Sequence, residues 1–131
     1  MRLWVLGCRD VRCIAWHPFQ SVVVSGSKDN TVKLWDPRSG RSLSTLFRHK
    51  NTVLSVAWNP SNGNWLATSA RDHLIKLYDM RMMREWLTLH GHDKEVCSLA
   101  WHPTQEGLLT SGGFNGALAY WVVGHQAGGQ L

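Results

Sequence analysis

The sequence predicts an all-β protein built from three copies of one unit. The phrase VRCIAWHP at residues 11–18 returns as VLSVAWNP at 53–60 and as VCSLAWHP at 96–103, so its tryptophans lie 42 and 43 residues apart. The second half of the unit returns as well, as SGSKDNTVKLWD from Ser25, TSARDHLIKLYD from Thr68 and SGGFNGALAYWV from Ser111. A fixed period of this length is typical of a repeat protein in which each unit is one small sheet.

Each unit can be divided into four predicted strands. It opens with an alternating run such as VLSVAW, passes a Pro turn, and continues with a short apolar run such as SVVVS or WLATS. A tight turn on Asp or Asn follows, and then a third run, TVKLW, LIKLY or ALAYW. Alternation bounded by turn residues predicts strands. The segments SLSTLF from Ser42 and REWLTLH from Arg84 supply a fourth strand, and a four-stranded unit is the blade of a β-propeller.

The repeat gives the predicted domain organisation. We assign residues 11–47 to blade 1, 48–89 to blade 2 and 90–122 to blade 3, whose fourth strand is incomplete, with 123–131 as a tail. We interpret residues 1–10 as the remnant of a preceding blade or as a junction, and we therefore expect the chain to be a truncated form of a larger propeller protein. Because three blades are too few to close a ring, the outer blade edges favour either a longer chain or self-association.

The chain resembles the WD40 repeat family over nearly its whole length. The residues that carry the resemblance are Trp35 and Asp36, Tyr78 and Asp79, which close third strands, and the Gly-His pair at 91–92 before a first strand. The resemblance implies blades of a propeller that usually has seven, of which this chain supplies about three, in a ring that is not closed.

The same resemblance implies a buried hydrogen-bond network in each blade, formed by a His, a Ser or Thr, an Asp and a Trp. Carried onto this sequence, the members are His49, Thr68, Asp72 and Tyr78 in blade 2, His92, Ser111, Asn115 and Trp121 in blade 3, and Ser25, Asp29 and Trp35 in blade 1. Blade 1 has Gly7 where the His belongs, so we expect it to fray first. The assignment of the Ser or Thr to a position in the second strand is open by two residues, because Ser27 and Ala70 lie two residues beyond Ser25 and Thr68.

These polar residues are interpreted as structural, because a catalytic triad has no reason to recur in every repeat. No nucleophile with an activating base stands outside the network, so we expect no enzyme activity, no catalytic residue and no cofactor. His73 is a turn residue or a partner contact. The three cysteines, Cys8, Cys13 and Cys97, lack the spacing of zinc ligands; we expect no metal site and buried free thiols in a reducing compartment.

Composition limits the partners. The chain carries a net charge of +5 and has neither a membrane-spanning apolar run nor a signal peptide. The basic residues lie around two connections: Arg38, Arg41, Arg48 and Lys50 around the first, and Arg81 and Arg84 around the second. Such charge either steers an anionic partner or keeps edge strands solvated.

Three short segments are not required by a generic blade: GNWL at 63–66, RDHL at 71–74 and EGL at 106–108. With them, residues 11–121 resemble the WD-repeat subunits of the pre-mRNA cleavage and polyadenylation complex. That resemblance implies a nuclear scaffold that binds other protein subunits and reaches RNA through the complex, with no RNA-contacting residue assigned here. The alternatives are a generic interaction platform, such as a ubiquitin-ligase adaptor or a signalling scaffold, and a truncated product without independent function.

Overall fold

The computed structural model describes residues 10–124, and of residues 47 and 48 it describes the backbone only. Strands make up all the regular secondary structure of this range. The strands are β1 (Val11–Trp16), β2 (Val23–Ser27), β3 (Thr31–Asp36), β4 (Arg41–Arg48), β5 (Val53–Trp58), β6 (Trp65–Ala70), β7 (Ile75–Asp79), β8 (Arg84–Leu89), β9 (Val96–Trp101), β10 (Leu108–Gly113) and β11 (Leu118–Val122). Over this range the structure has no helix, and so none that could cross a membrane.

The strands form three antiparallel sheets, and each sheet is one sequence repeat. Two sheets have four strands, in the orders β1-β2-β3-β4 and β5-β6-β7-β8, and the third has the order β9-β10-β11. The described residues do not close into a ring, so the predicted all-β architecture of partial propeller blades is confirmed. The strand β4 ends at Arg48, one residue beyond the division placed after residue 47.

The tight turn between the second and third strands is built in the same way in all three sheets. One residue of each turn has a positive φ: Asn30 at 73°, His73 at 69° and Gly116 at 82°. The residue before it is Asp or Asn, whose side-chain oxygen accepts the backbone N–H two residues on at 3.1 Å, in the pairs Asp29–Thr31, Asp72–Leu74 and Asn115–Ala117. Asp and Asn favour such turns because they offer this local bond. His73 is therefore a turn residue.

The core lies in two seams between neighbouring sheets. In the first seam, Val32 and Leu34 of β3 pack against Val53, Val56 and Trp58 of β5. The second seam repeats this arrangement, with Ile75 and Leu77 of β7 against Val96 and Trp101 of β9. The first strand of each sheet therefore packs on the preceding sheet, nearest to that sheet's first and second strands, and residues of the third strand belong to the same buried cluster. This explains why a valine, a second aliphatic residue and Ala-Trp recur in every first strand.

Candidate functional site: the blade networks and the exposed surfaces

The second sheet brings three of its four predicted network residues into direct contact. His49 Nδ1 lies 3.0 Å from Asp72 Oδ2, and His49 Nε2 lies 2.7 Å from Thr68 Oγ1. The imidazole is fully buried and the Asp72 carboxylate almost so. Tyr78, the fourth predicted member, is buried in the seam with the first sheet. Burial raises the pKa of its phenol above the ordinary value.

The Asp72 carboxylate is held in its ionised form. Burial by itself would raise its pKa, but the hydrogen bond and charge of His49 and the backbone N–H groups of Lys50 and Leu74 outweigh burial and lower it below the ordinary value. The two backbone donors lie 3.1 Å from the carboxylate oxygens. A buried charge needs such compensation, so Asp72 joins the loop before β5 to the turn after β6.

The third sheet assembles a different subset. Trp121 Nε1 donates to Ser111 Oγ at 2.8 Å, and the same oxygen lies 2.7 Å from His92 Nε2. Among residues 10–124, Asn115 accepts only the turn bond from Ala117, and no hydrogen bond joins it to His92. An amide carries no charge to hold an imidazole, so the substitution of Asp by Asn leaves this set without the link found at His49 and Asp72.

The first sheet joins two of its three predicted residues, Ser25 and Trp35, and separates the third, Asp29, from them. Trp35 Nε1 donates to Ser25 Oγ at 2.8 Å, whereas the Asp29 carboxylate accepts bonds from the Ser27 hydroxyl and from Thr31. Asp29 loses some hydration, which raises its pKa, but the Ser27 and Thr31 hydrogen bonds and the charge of Lys33 lower it overall. Gly7, the position of the expected His, lies outside the described residues.

A second set of polar contacts, which the sequence did not reveal, joins the sheets to one another. Trp58 Nε1 donates to the Ala15 carbonyl at 3.2 Å, and Trp101 Nε1 donates to the Ala57 carbonyl at 3.0 Å. Each indole therefore bonds to the first strand of the preceding sheet. The recurrence of Ala-Trp at 15–16, 57–58 and 100–101 is the signal that could have shown this.

The His-Pro and Asn-Pro turns bond in the opposite direction along the chain. His17 Nδ1 accepts the N–H groups of Phe19 and Gln20 at 3.0 Å, and its Nε2 lies 2.8 Å from the Gly63 carbonyl of the next sheet. Asn59 repeats the pattern, accepting two N–H groups of its own turn and donating to the Glu106 carbonyl. In the third sheet, His102 Nδ1 accepts the N–H groups of Thr104 and Gln105.

The cysteines of β1 and β9 occupy equivalent positions. Cys13 Sγ lies 3.8 Å from the Gly26 carbonyl, and Cys97 Sγ lies 3.4 Å from the Gly112 carbonyl. Both are free thiols. Burial raises the pKa of Cys13 to about 11, although the bond to Gly26 acts against the rise. Cys8 lies outside the described residues, and between residues 10 and 124 no three His, Cys, Asp or Glu side chains are grouped as metal ligands would be.

A groove of about 680 Å³ lies at one end of the first two sheets. Its walls include the apolar side chains of Phe19, Leu43 and Met80 and the charged side chains of Arg81 and Glu106. Phe19 is 70% exposed and Leu43 is 50% exposed. A concave surface of this size, with apolar walls and a few charged groups at its rim, suits an apolar side chain of a partner.

Four exposed arginines lie at the same end of the strands as this groove, and one of them, Arg81, lines it. Arg38 and Arg41 flank the β3–β4 turn, and Arg81 and Arg84 take the equivalent places at the β7–β8 turn. Lys50, which the sequence grouped with the first pair, follows the far end of the eight-residue strand β4, about 25 Å away at the usual rise per residue. The side chain of Arg48 is outside the described residues. Four arginines therefore lie at the end of the strands where the groove opens, and Lys28, Lys50, Arg71 and Lys94 lie at the opposite end.

The fold and its networks define the class of protein. Residues 2–36, 40–79 and 84–121 match the family model described as "WD domain, G-beta repeat", so the chain belongs to the WD40 repeat family. Proteins of this family are generally non-catalytic scaffolds that bind other proteins.

Parts of the chain are similar to individual WD-repeat proteins. A stretch of 61 residues, 47% of this chain, is 54% identical to polyadenylation factor subunit 2 of Neurospora crassa and spans 9% of that protein. The Gibberella zeae protein of the same name is 51% identical over 61 residues and 10% of its length. The peroxisomal targeting signal 2 receptor of Homo sapiens is 43% identical over 54 residues, which are 40% of this chain and 17% of the receptor. The chain thus aligns with a small part of each of these relatives.

Proposed function

We propose that the chain is a non-catalytic WD40 scaffold that works in the polyadenylation step of messenger RNA 3′-end formation, in the nucleus. The observation that carries this proposal is the 54% identity to a polyadenylation factor subunit over 61 residues. The side chains of the second sheet that could act as catalytic groups are instead used in its hydrogen-bond network, which supports the scaffold role. His49, Thr68 and Asp72 are bonded to one another inside one sheet, which leaves none of them facing a substrate.

Protein partners dock, on this proposal, at the groove between the first two sheets. The groove combines exposed apolar side chains, Phe19 and Leu43, with a rim that includes Arg81. Apolar anchors surrounded by charge are the usual composition of an interaction surface, because burial of the anchor supplies affinity and charge steers the encounter. A partner segment with an apolar side chain flanked by acidic residues fits this surface.

Affinity purification from a nuclear extract tests the proposal. The tagged chain should enrich cleavage and polyadenylation subunits, and the double variant Arg81→Glu with Arg84→Glu should lose most of that enrichment. Arg71→Glu is the matched control, since it reverses an exposed charge at the opposite end of β7. Enrichment of ubiquitin-ligase or signalling subunits instead would favour a generic interaction platform and refute the proposal.

RNA association is proposed to run through the protein partners. The isolated chain should bind an adenine- and uracil-rich signal RNA weakly at physiological salt and with little preference over a scrambled oligomer, which fluorescence anisotropy would measure. The +5 net charge supplies only a sequence-independent attraction to phosphate. Tight binding that discriminates between the two oligomers would contradict this part of the proposal.

A further inference from the structure

The two seams inside the chain show what each face of a sheet needs. The first strand supplies a valine, a second aliphatic residue and a tryptophan, and the preceding sheet supplies residues of its first and second strands together with two aliphatic residues of its third strand to the same buried cluster. One indole N–H per seam bonds to an alanine carbonyl across it. The chain forms this interface twice with different side chains in the same places, so the required pattern can be read position by position.

The first sheet presents one half of such a seam without a covering sheet. Trp16 is 63% exposed, whereas its equivalents Trp58 and Trp101 are 7% and 8% exposed. Val11 and Ile14 are likewise exposed, although their equivalents in β5, Val53 and Val56, are buried. In the described residues, no hydrogen bond is formed by Trp16 Nε1. We name Val11, Ile14 and Trp16 the first-strand face.

The third sheet presents the opposite half. Tyr120 is 68% exposed, whereas its equivalents Leu34 and Leu77 are 7% and 0% exposed. Leu118 is 63% exposed, and its equivalents, Val32 and Ile75, are fully buried. We name Leu118 and Tyr120 the third-strand face.

The polar groups of the two faces also correspond. The Ala100 carbonyl occupies the place of the Ala15 and Ala57 carbonyls that accept the seam indoles. It already accepts the Thr110 hydroxyl at 3.2 Å, but a carbonyl oxygen has two lone pairs and can take a second donor. The third sheet therefore offers the acceptor that an indole in the position of Trp16 requires.

We infer that the first-strand face of one copy docks on the third-strand face of a second copy, which continues the internal seam from chain to chain. Trp16 of the first copy would donate to the Ala100 carbonyl of the second copy, and Ile14 of the first copy would cover Tyr120 of the second. Two copies joined in this way at both seams form a six-bladed ring, within the blade numbers that propellers adopt. Since the contact is head-to-tail, ring closure leaves no open face and limits growth.

Native mass spectrometry and light scattering of the full 131-residue chain test this inference. The wild-type chain should have twice the 14.8 kDa mass of one chain. Trp16→Asp and Tyr120→Asp each destroy one face, so each variant alone should be monomeric. Mixed together, they retain one intact pair of faces and should form a one-to-one heterodimer. Tyr120→Leu installs the residue found at the two internal seams and should preserve the dimer.

Each contrary result has a definite meaning. A dimer that survives Trp16→Asp or Tyr120→Asp alone would show pairing of like faces and overturn the head-to-tail contact. A monomeric wild-type chain, a failed heterodimer or an oligomer larger than two would overturn the closed dimer. Circular dichroism of each variant checks the fold, and Ile14→Glu with Leu118→Glu repeats the complementation if either first variant fails to fold.

Discussion

A methyl group added at Gly26 should destabilise the protein, because this glycine lies where the first sheet touches the second. A Cβ at Gly26 would lie 2.7 Å from Cys13 Sγ and closer still to Val53 Cγ1. Val53 cannot move easily, since it is fully buried in the seam. Forcing an additional carbon into a packed core costs about 1–3 kcal/mol, so Gly26→Ala should lower the free energy of unfolding by that amount.

Gly112 provides the matched control because it occupies the equivalent position in the third sheet. A Cβ there would meet only Ser98 Cβ, at an ordinary contact distance of 3.8 Å. Replacing such a glycine with alanine restricts the unfolded chain and stabilises the fold by about 0.4–1 kcal/mol. The two variants should therefore differ by about 1.4–4 kcal/mol, although the same atoms are added at the same place in the repeat.

Urea unfolding followed by tryptophan fluorescence measures this difference. With a slope of about 1–3 kcal/mol per molar urea, the unfolding midpoint of Gly26→Ala should lie about 1 M below that of Gly112→Ala. Val53→Ala in the Gly26→Ala background removes the clashing methyl group and should show a favourable coupling of about 0.5–3 kcal/mol. Equal midpoints for the two glycine variants, or a coupling of zero, would refute the seam packing.

The remaining predictions concern the polar network, pH and thiol chemistry. Thr68→Val removes the hydroxyl that bonds to His49 Nε2 and should lower the free energy of unfolding by about 1–3 kcal/mol in urea unfolding. The exposed control Thr45→Val should stay within about 0.5 kcal/mol of wild type. Equal losses in the two variants would contradict the network. The folded pKa of Asp72 is lowered, so its charge stabilises the fold above the unfolded pKa of about 3.9, and this contribution is lost as the pH falls through the folded pKa. The loss of unfolding free energy caused by Asp72→Asn should therefore shrink between pH 6 and pH 3. A loss that does not change with pH would exclude this mechanism. With its pKa at about 11, Cys13 should alkylate at pH 8 about 100-fold more slowly than in urea, as peptide mapping would show; an equal rate would contradict its burial. Amide hydrogen exchange should be faster in β1–β4 than in β5–β8, since Asp29 has no histidine partner among the described residues, and the reverse order would count against the expected fraying of blade 1.

The sequence predicted the fold because the repeats are regular and local. The alternating run that ends in Ala-Trp, the Asp or Asn turn and the third-strand run each specify a strand or a turn within a few residues. The tight turns followed from Asp29, Asp72 and Asn115, whose side chains bond to their own backbone. Alternation and turn chemistry act over short distances, so they can be read from one chain without its partners.

The sequence could not predict how the sheets meet. The bonds from Trp58 to Ala15 and from His17 to Gly63 join residues 43 and 46 positions apart, and no local pattern specifies such a distance. The network also differed in detail from a simple transfer of motifs. The Asp29 carboxylate accepts hydrogen bonds from Ser27 and Thr31, because each of these residues, two positions to either side, carries a hydroxyl group.

Indole hydrogen exchange tests the central claim, that equivalent sheets are joined by equivalent seams, most directly. In the Tyr120→Asp variant, the indole N–H protons of Trp58 and Trp101 should exchange with solvent at least about tenfold more slowly than that of Trp16, as nitrogen-edited NMR would measure. The reason is that Trp58 and Trp101 donate to carbonyls inside seams, whereas Trp16 lies on the first-strand face. Equal exchange rates for the three indoles would contradict the account.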